Sequence, residues 1–495
     1  MSLHLDYADG LRRDIASQSG RAYKSNLGQF MTPSATARFM ASLFVADDSA
    51  HCHLLDAGAG IGSLSCAFLD RWRSGELQFR NVVVDACEID TNLHGPLAEV
   101  LERYAPLGDF KANLISRDFI EDAVNRLQFG ETERYSHAIL NPPYKKIGGD
   151  SRHRLLLRQV GIETVNLYSG FVALALERMR PGGRIVAIIP RSFCNGPYYR
   201  PFREFVLGRA AIRQLHLFGS RAQAFRDDDV LQENLIIVLD RDGEQGEVTV
   251  SASTDDGFRD FVEHRHAFDR IVFPGDPESF IHVPTSAGPS LVERYRPVRC
   301  SLQDLDIQVS TGPVVDFRLR EHLRDSPGIG CAPLLYPLHF RGPDLQWPQP
   351  GAKKPNAIVH NAETRKWLFP AGNYAVVRRF SSKEEKRRVV AGVVTPKGLA
   401  GAQMIGFENH LNVFHWQKQG MPESLATGLA VYLNSTAVDE WFRRFNGHTQ
   451  VNATDLRRMR YPERASLVEI GEWAMRQVEE IAQESIDERL EAWIE

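Results

Sequence analysis

Cysteine is scarce: six residues in 495, at Cys52, Cys66, Cys87, Cys194, Cys300 and Cys331, with no Cys-x-x-Cys among them. The pattern argues against a disulfide framework and a structural zinc site and for reduced, mostly buried thiols, and no metal is expected. Long apolar runs are missing too. Stretches such as Arg184–Pro190 stop far short of the roughly 20 residues that cross a bilayer, so no membrane partner is expected. The opening Met1-Ser-Leu-His-Leu-Asp6 has neither the basic region nor the apolar stretch of a secretory signal, and the expectation is a cytoplasmic protein. Charge of one sign does not dominate either. The 59 Lys+Arg and 63 Asp+Glu give −4, so the chain as a whole is no obvious polyanion binder. Internal repeats, low-complexity segments and the Gly-x-x-x-x-Gly-Lys-Ser/Thr loop of kinases and ATPases are absent.

What is there is an ordinary globular composition, 43% hydrophobic and 25% charged, on a length that suits two to three domains. Charge is unevenly placed. Residues 316–464 hold 22 Lys+Arg against 13 Asp+Glu, whereas 465–495 hold 2 against 9. The basic stretch also carries Trp347, Trp367, Tyr374, Phe380, Trp441, Phe442 and Phe445. Cations for phosphate and flat rings for bases are what a nucleic-acid surface needs. A basic exterior around an ordinary core is the equal alternative on charge alone.

Residues 1–50 read as helical, with Pro33 at a break and an apolar-striped helix over Ala35–Val45. In 51–240, β-rich runs alternate with helical patterns; the strands expected are His53–Asp56, Val82–Glu88, His137–Leu140, Arg184–Ile189, Ile212–Phe218 and Leu235–Leu239. That alternation argues for an α/β fold, an open and largely parallel sheet covered on both faces. Residues 241–300 are turn-rich and read as a linker or boundary region, 301–465 as an irregular α+β domain, and 466–495 as an acidic amphipathic helix.

The first chemical signal is Leu54-Leu-Asp56-Ala-Gly58-Ala-Gly60-Ile-Gly62-Ser63, an apolar strand running into a glycine-rich turn and then a helix. The glycines let the backbone turn tightly and a ligand come close. Such a loop also fits NAD and FAD enzymes or a plain tight turn. Glu88 sharpens it: an acid at the tip of the second strand is placed to accept both hydroxyls of a ribose. In Arg117-Asp-Phe-Ile120, Asp118 suits an adenine amino group, or a helix N-cap.

The strongest signal is Asn141-Pro142-Pro143-Tyr144, directly after the strand His137–Leu140 and so at the carboxyl edge of the sheet. An exocyclic amino group on an aromatic base or an amide is a poor nucleophile, because its lone pair is delocalised. Two acceptors aimed at its N–H bonds localise that pair. The Asn141 side-chain oxygen and the Pro142 carbonyl can be those acceptors, held by the rigidity of the prolines. Tyr144 offers a ring on which the target can stack.

With these motifs the chain resembles the S-adenosylmethionine-dependent N6-adenine DNA methyltransferases of the TaqI-like (gamma) class, modification enzymes of restriction–modification systems. Gly28-Gln-Phe-Met-Thr-Pro33 is similar to motif X, the glycine turn to motif I, Glu88 to motif II, Asp118 to motif III and Asn141–Tyr144 to motif IV. Asn166–Phe171 with Arg180–Gly183 resembles motifs V and VI, and Ala224–Val230 motif VIII, although three aspartates stand there where a basic residue is common. Ser310-Thr-Gly312 and Gly447–Thr454 look like the PstI/XhoI-type modification methylases.

The resemblance implies a Rossmann-like methyltransferase sheet followed by an α+β target-recognition domain. It implies S-adenosyl-L-methionine as cofactor, held by Thr32, Pro33 and the turn around Asp56, Gly58, Gly60 and Gly62, with Glu88 on the ribose and Asp118 and Phe119 at the adenine. Phe171 packs on that adenine or sits in the core. It also implies an adenine rotated out of duplex DNA and clamped between Tyr144 and Phe225. A monomer is expected, paired in function with a separate restriction endonuclease. For the DNA sequence itself, Arg378, Arg379, Arg443, Arg444, His448, Gln450 and Asn452 are the candidate readers, since Arg and Asn/Gln suit guanine and adenine edges. Phosphate contact or plain solubility is the alternative for any single Arg.

Rivals remain. Asn-Pro-Pro-Tyr also occurs in enzymes that methylate a protein glutamine or amino groups of RNA, but those lack the basic, aromatic region behind the catalytic domain. Cytosine-5 methylation needs a Cys nucleophile, usually after Pro, and the chain has no Pro-Cys dipeptide. A DNA-binding module without catalysis would have no use for Asn141 and Tyr144.

Overall fold

In the computed structural model the described residues are 3–18, 31–46, 50–131, 134–218, 234–284, 294–295, 297–381, 385–445, 450–477 and 481–493. The chain divides into two compact units, Met1–Ala287 and Gly288–Glu495.

The first unit is a doubly wound α/β sheet. Helices α1 (Leu3–Gln18) and α2 (Ser34–Ser42) precede β1 (His51–Ala57), α3 (Ser63–Arg73), β2 (Asn81–Cys87), α4 (Thr91–Glu102) and β3 (Phe110–Ile115). Then come α5 (Phe119–Gln128), β4 (Tyr135–Leu140), α6 (Arg152–Gln159), α7 (Leu167–Arg178), β5 (Met179–Pro190) and α8 (Arg200–Leu207). Strands β6 (Ala210–Phe218), β7 (Asn234–Arg241), β8 (Val248–Ser253) and β9 (Val262–His266) complete the unit. The strand order is β3-β2-β1-β4-β5-β7-β6-β8-β9, parallel from β3 to β5, with β7 running against both β5 and β6.

Alternate residues of the central strands feed opposite cores, as the period of two requires. Leu54, Val186 and Ile188 pack with Ala37, Met40, Phe44, Phe68 and Leu97 of the α1–α4 face. Leu55, Ile185, Ala187 and Ile189 pack with Ile120, Val124, Leu157, Val172 and Phe202 of the α5–α8 face. Buried on both faces, such strands read as near-continuous apolar runs, which is why six of the nine were legible. β1 and β4 are neighbours in register Leu54↔His137, and the chain leaves β1 in one direction across the sheet and returns on its other side at β4. Their carboxyl ends therefore form the topological switch point, where ligands of such sheets bind.

Three strands were not expected. β3 is half-exposed at the sheet edge and has little apolar pattern to show. β8 and β9 arise from the stretch read as a boundary region: the sheet runs on to His266, and the division between units falls at Ala287/Gly288.

The second unit contains a four-stranded antiparallel sheet in the order Gln308–Thr311, Leu411–His415, Tyr374–Arg378, Ala391–Val394, and a five-stranded sheet beside it in sequence. Its helices are α9 (Glu423–Leu433), α10 (Thr436–Phe445), α11 (Ala453–Arg458), α12 (Arg464–Met475) and α13 (Gln483–Glu491). The acidic tail is thus two helices, not one. They are not an appendage: Leu467, Ile470, Ile486 and Leu490 share a core with Leu425, Leu429, Ala375 and Phe414. Their acids supply the polar outer face, while the apolar stripe closes this unit. None of the six cysteines is in a disulfide; Cys52, Cys66, Cys87 and Cys194 are buried. No helix among the described residues is long and apolar enough to cross a membrane.

Candidate active site

The glycine turn leaves β1 and docks at once on the tip of β2: the Gly58 and Ala59 N–H groups both donate to the Cys87 carbonyl, at 2.9 and 3.0 Å. Gly58, Gly60 and Gly62 have φ of +80, +57 and +83°, the left-handed region that glycine enters without cost. Their jobs differ. A Cβ on Gly62 would lie 2.9 Å from Leu97 Cδ1, so this glycine lets α3 seat against α4. A Cβ on Gly58 would lie 3.6 Å from the Asn141 carbonyl oxygen, so here the glycine turn lies directly against the second motif.

Glu88 is almost wholly buried behind the turn. One carboxylate oxygen accepts the Gly60 N–H at 2.8 Å and the other the Asp90 N–H at 2.7 Å. Burial pushes its carboxyl pKa up, against the pull of those amides. Asp118 caps α5: one oxygen accepts the Glu121 N–H at 3.1 Å and the other meets His153 Nε2 at 2.8 Å. Burial alone would raise its pKa, but the His153 hydrogen bond and the helix amides outweigh it and hold the carboxyl below its ordinary value. Asp118 is thus the helix cap that was its alternative reading, and it also lines the cleft.

Asn141 begins the loop after β4. Its Nδ2 donates to the Thr32 hydroxyl at 2.9 Å, a bond across 109 residues of sequence. Pro142 is buried, and the Tyr144 hydroxyl donates to the Ile188 carbonyl of β5 at 3.1 Å. The Tyr144 ring meets Tyr168 edge to face, 6.1 Å between centroids. Burial raises the pKa of its phenol, which stays neutral.

One cleft gathers these groups, with about 810 Å3 of space, part of it open to solvent. Gly58, Gly60, Glu88 and Asp118 line it, as do Thr32, Asn141 and Pro143, and the paired rings of Phe119 and Phe171, 4.9 Å apart. Phe171 also packs against the apolar core, the second of the two places expected of it. Of the sequence candidates, Pro33, Asp56, Gly62, Pro142 and Tyr144 do not line this cleft. Pro33 instead starts α2, its carbonyl accepting the Ala37 N–H at 2.9 Å. Asp56 is fully buried beneath the turn, accepts the Ser65 hydroxyl at 2.6 Å, and burial pushes its pKa up to about 7.

Met31, Ile61, Ile89 and Arg117 also line the cleft and were missed. Ile89 is the informative one: 54% exposed, yet large and apolar, it stands on the wall of the cleft. Its signal was its place one residue beyond the strand-tip acid. Phe225 and His448 lie outside the described residues.

In the second unit the candidate readers have local partners. Arg378 pairs with Glu385. Arg443 on α10 pairs with Asp439 at 2.6 Å and donates to the Glu385 carbonyl; Arg444 follows it on the same helix. Asn452 caps α11, its N–H donating to Asp455 at 3.0 Å. Among the described residues the Arg379 side chain reaches neutral oxygens, those of Asn409 at 3.3 Å and Gln450 at 3.5 Å, and lies 5.7 Å from the half-exposed ring of Phe380, whose backbone bridges to Gln450.

A cleft at the switch point, lined by the glycine turn, the buried Glu88 and Asn141, fits the S-adenosylmethionine-dependent methyltransferases. The residues fit that cofactor, with a turn of left-handed glycines on the cleft and a buried carboxylate behind it. The chain belongs to the Type II DNA methyltransferases of restriction–modification systems. It is 51% identical over 474 residues to the Type II methyltransferase M.BsuBI of Bacillus subtilis, covering 94% of each chain. It is 42% identical over 493 residues to M.PstI of Providencia stuartii, covering 97% of this chain and 96% of that one. Residues 97–225 match the Eco57I restriction-modification methylase family. Among solved structures, a DrdV–DNA complex aligns with 95% of this chain and 59% of its own at 13% identity and a TM-score of 0.48.

Proposed function

We propose that the protein is a site-specific adenine N6-methyltransferase that modifies duplex DNA and so protects it from a cognate restriction endonuclease. The observation that supports this most is the Asn141 corner: an amide oriented by Thr32, followed by two prolines, inside the cofactor cleft. S-adenosylmethionine supplies a methyl group on a sulfonium, whose departure as a neutral thioether needs no acid. Glu88 would bind the ribose hydroxyls and Asp118 the cofactor's amino group, each carboxylate oxygen having a second lone pair beyond the partner it already has. Ile89 and Phe119 cover the adenine faces.

The target adenine is rotated out of the duplex at a cost of a few kcal/mol. Stacking on Tyr144, with Phe225 as the second face, offsets roughly 1–3 kcal/mol of it. The Asn141 Oδ1 and the Pro142 carbonyl accept the two N–H bonds of the amino group, localising its lone pair for in-line attack. The proton leaves to water after transfer, so no general base is needed among the side chains. The second unit, with Arg378, Arg379, Arg443, Arg444, His448, Gln450 and Asn452, reads the site on the DNA. A cytoplasmic monomer suffices, since each strand is modified in a separate event.

Asn141→Ala tests the reading. Methyl transfer to duplex DNA is expected to fall by at least 100-fold, while cofactor affinity measured by calorimetry stays within about threefold. Parent-like turnover in that variant overturns the mechanism. Mass spectrometry of the modified nucleosides is expected to show N6-methyladenine; a cytosine product overturns the base assignment.

A further inference from the structure

Thr32 lies in the stretch that the family resemblance assigns to cofactor binding, yet its hydroxyl accepts a hydrogen bond from Asn141 Nδ2 at 2.9 Å. We infer that Thr32 is a positioning residue for catalysis, one that selects which end of the Asn141 amide faces the substrate amine. The inference rests on the adenine reading above and deepens it.

The backbone of Asn141 is already fixed. Pro142 confines it to extended conformations, Pro142 is itself buried, and the side-chain-free Gly58 packs against its carbonyl. What the backbone does not fix is the amide's own two-fold choice. An asparagine side chain is nearly the same shape with oxygen and nitrogen exchanged, and the two states differ only in hydrogen bonding. For this reaction the states are opposites. With the oxygen toward the substrate, Asn141 accepts an N–H bond and localises the lone pair; with the NH2 there, it presents donors to donors and the amine has no reason to bind or react.

Thr32 is equipped to decide this. It is 5% exposed, so water competes little for the amide nitrogen. It is β-branched, with few χ1 rotamers, and it precedes Pro33, which keeps its backbone extended. Pro33 in turn starts α2, whose Thr36, Ala37, Met40 and Ala41 are buried. The hydroxyl is therefore carried on a packed element, not on a loose loop, and it is the amide nitrogen that it holds, which leaves the oxygen as the other end of the Asn141 side chain.

Thr32→Val removes the acceptor and keeps the volume. The expected result with the full-length protein is a fall in kcat of roughly 10- to 100-fold, with the cofactor dissociation constant and the KM for DNA within about threefold of the parent. Thr32→Ser, which restores an acceptor, is expected to recover most of kcat. In an Asn141→Ala background, Thr32→Val is expected to cost nothing further, because a residue that acts through another has no effect once that other is gone. Should Thr32→Val fold poorly, seen as a large loss in melting temperature, Thr32→Ala, which also removes the acceptor, carries the same comparison against Thr32→Ser. A weaker cofactor affinity with kcat retained would overturn the inference and return Thr32 to cofactor binding alone. Parent-like kcat in Thr32→Val would overturn it too, while leaving the adenine reading intact. Full activity in Asn141→Ala is the separate result that would sink that reading.

Discussion

Gly58 faces the backbone of Asn141 across the cleft floor, and a Cβ placed on it would lie 3.6 Å from the Asn141 carbonyl oxygen and 3.9 Å from the Phe171 ring. These are ordinary contact distances, so space is not the obstacle to a side chain. The obstacle is φ of +80°, which an L-residue enters at a cost of about 1–2 kcal/mol. Gly58→Ala is therefore expected to lower the melting temperature modestly and, by relaxing the turn that cradles the cofactor, to weaken cofactor binding by roughly tenfold. Gly10→Ala is the matched control. Gly10 lies inside α1 with nothing within 4 Å of an added Cβ, so alanine there is expected to stabilise the fold by about 0.5–1 kcal/mol. Calorimetry on both variants checks the pair; equal effects would mean that the turn's conformation does not matter to the site.

Asp56 gives the stability a distinctive pH dependence. Its folded pKa is about 7 against 3.8 for the unfolded chain, because burial penalises the charged form. The folded state holds the proton through that window, so this group's stabilising contribution is complete below about pH 4 and is lost as pH rises toward 7. Asp56→Asn cannot titrate. The difference in unfolding free energy, parent minus variant, is expected to fall by up to roughly 4 kcal/mol between pH 4 and pH 7. Urea unfolding of both proteins across that range reads it. Parallel curves would show that the buried carboxyl is already ionised at pH 4.

The sequence revealed the site better than the fold's limits, for physical reasons. Buried parallel strands are apolar throughout, so β1, β2, β4 and β5 announced themselves, and with them the switch point that Asn141 and Gly58 share. β3 is half-exposed, and β8 and β9 are short strands amid turn residues; their hydrogen bonds, not their composition, make them strands. Tertiary proximity was illegible as well. Nothing in the spacing of Thr32 and Asn141 shows that they touch, nor that Arg378 and Arg443 spend part of their charge on Glu385 and Asp439. Ile89 escaped because an exposed apolar residue is unremarkable until the cleft beside it is known.

Helices α9 and α12 cross backbone to backbone at Gly428 and Gly471. A Cβ on Gly428 would lie 1.8 Å from the Leu467 carbonyl oxygen, and one on Gly471 the same distance from that of Ser424. Both contacts are with backbone, which cannot swing aside, so a single methyl must push the helices apart and strip Leu467 and Ile470 from their core. Gly428→Ala and Gly471→Ala are each expected to destabilise the second unit by about 3 kcal/mol or more, beyond the usual range for overpacking. Limited proteolysis and thermal melting check this. Parent-like stability would mean that the two helices can separate without loss.

Arg379 and Arg443 should separate into different kinds of residue when DNA binding is measured against salt. Arg443 is already neutralised by Asp439, which also accepts the Arg388 N–H at 2.6 Å, so its loss chiefly disturbs α10. Among the described residues Arg379 touches neutral oxygens, and it lies close to the half-exposed ring of Phe380, an arrangement suited to a strand of nucleic acid. If it meets a phosphate, Arg379→Ala is expected to reduce the slope of log affinity against log salt by about 0.9, equally for specific and nonspecific duplexes. If it meets a guanine edge, the loss is about 1–3 kcal/mol and falls on the specific duplex alone. Arg443→Ala is expected to leave the slope nearly unchanged while lowering the melting temperature. A slope that falls by the same amount in both variants would show that the Asp439 pair opens on DNA and that both guanidiniums act as free cations there.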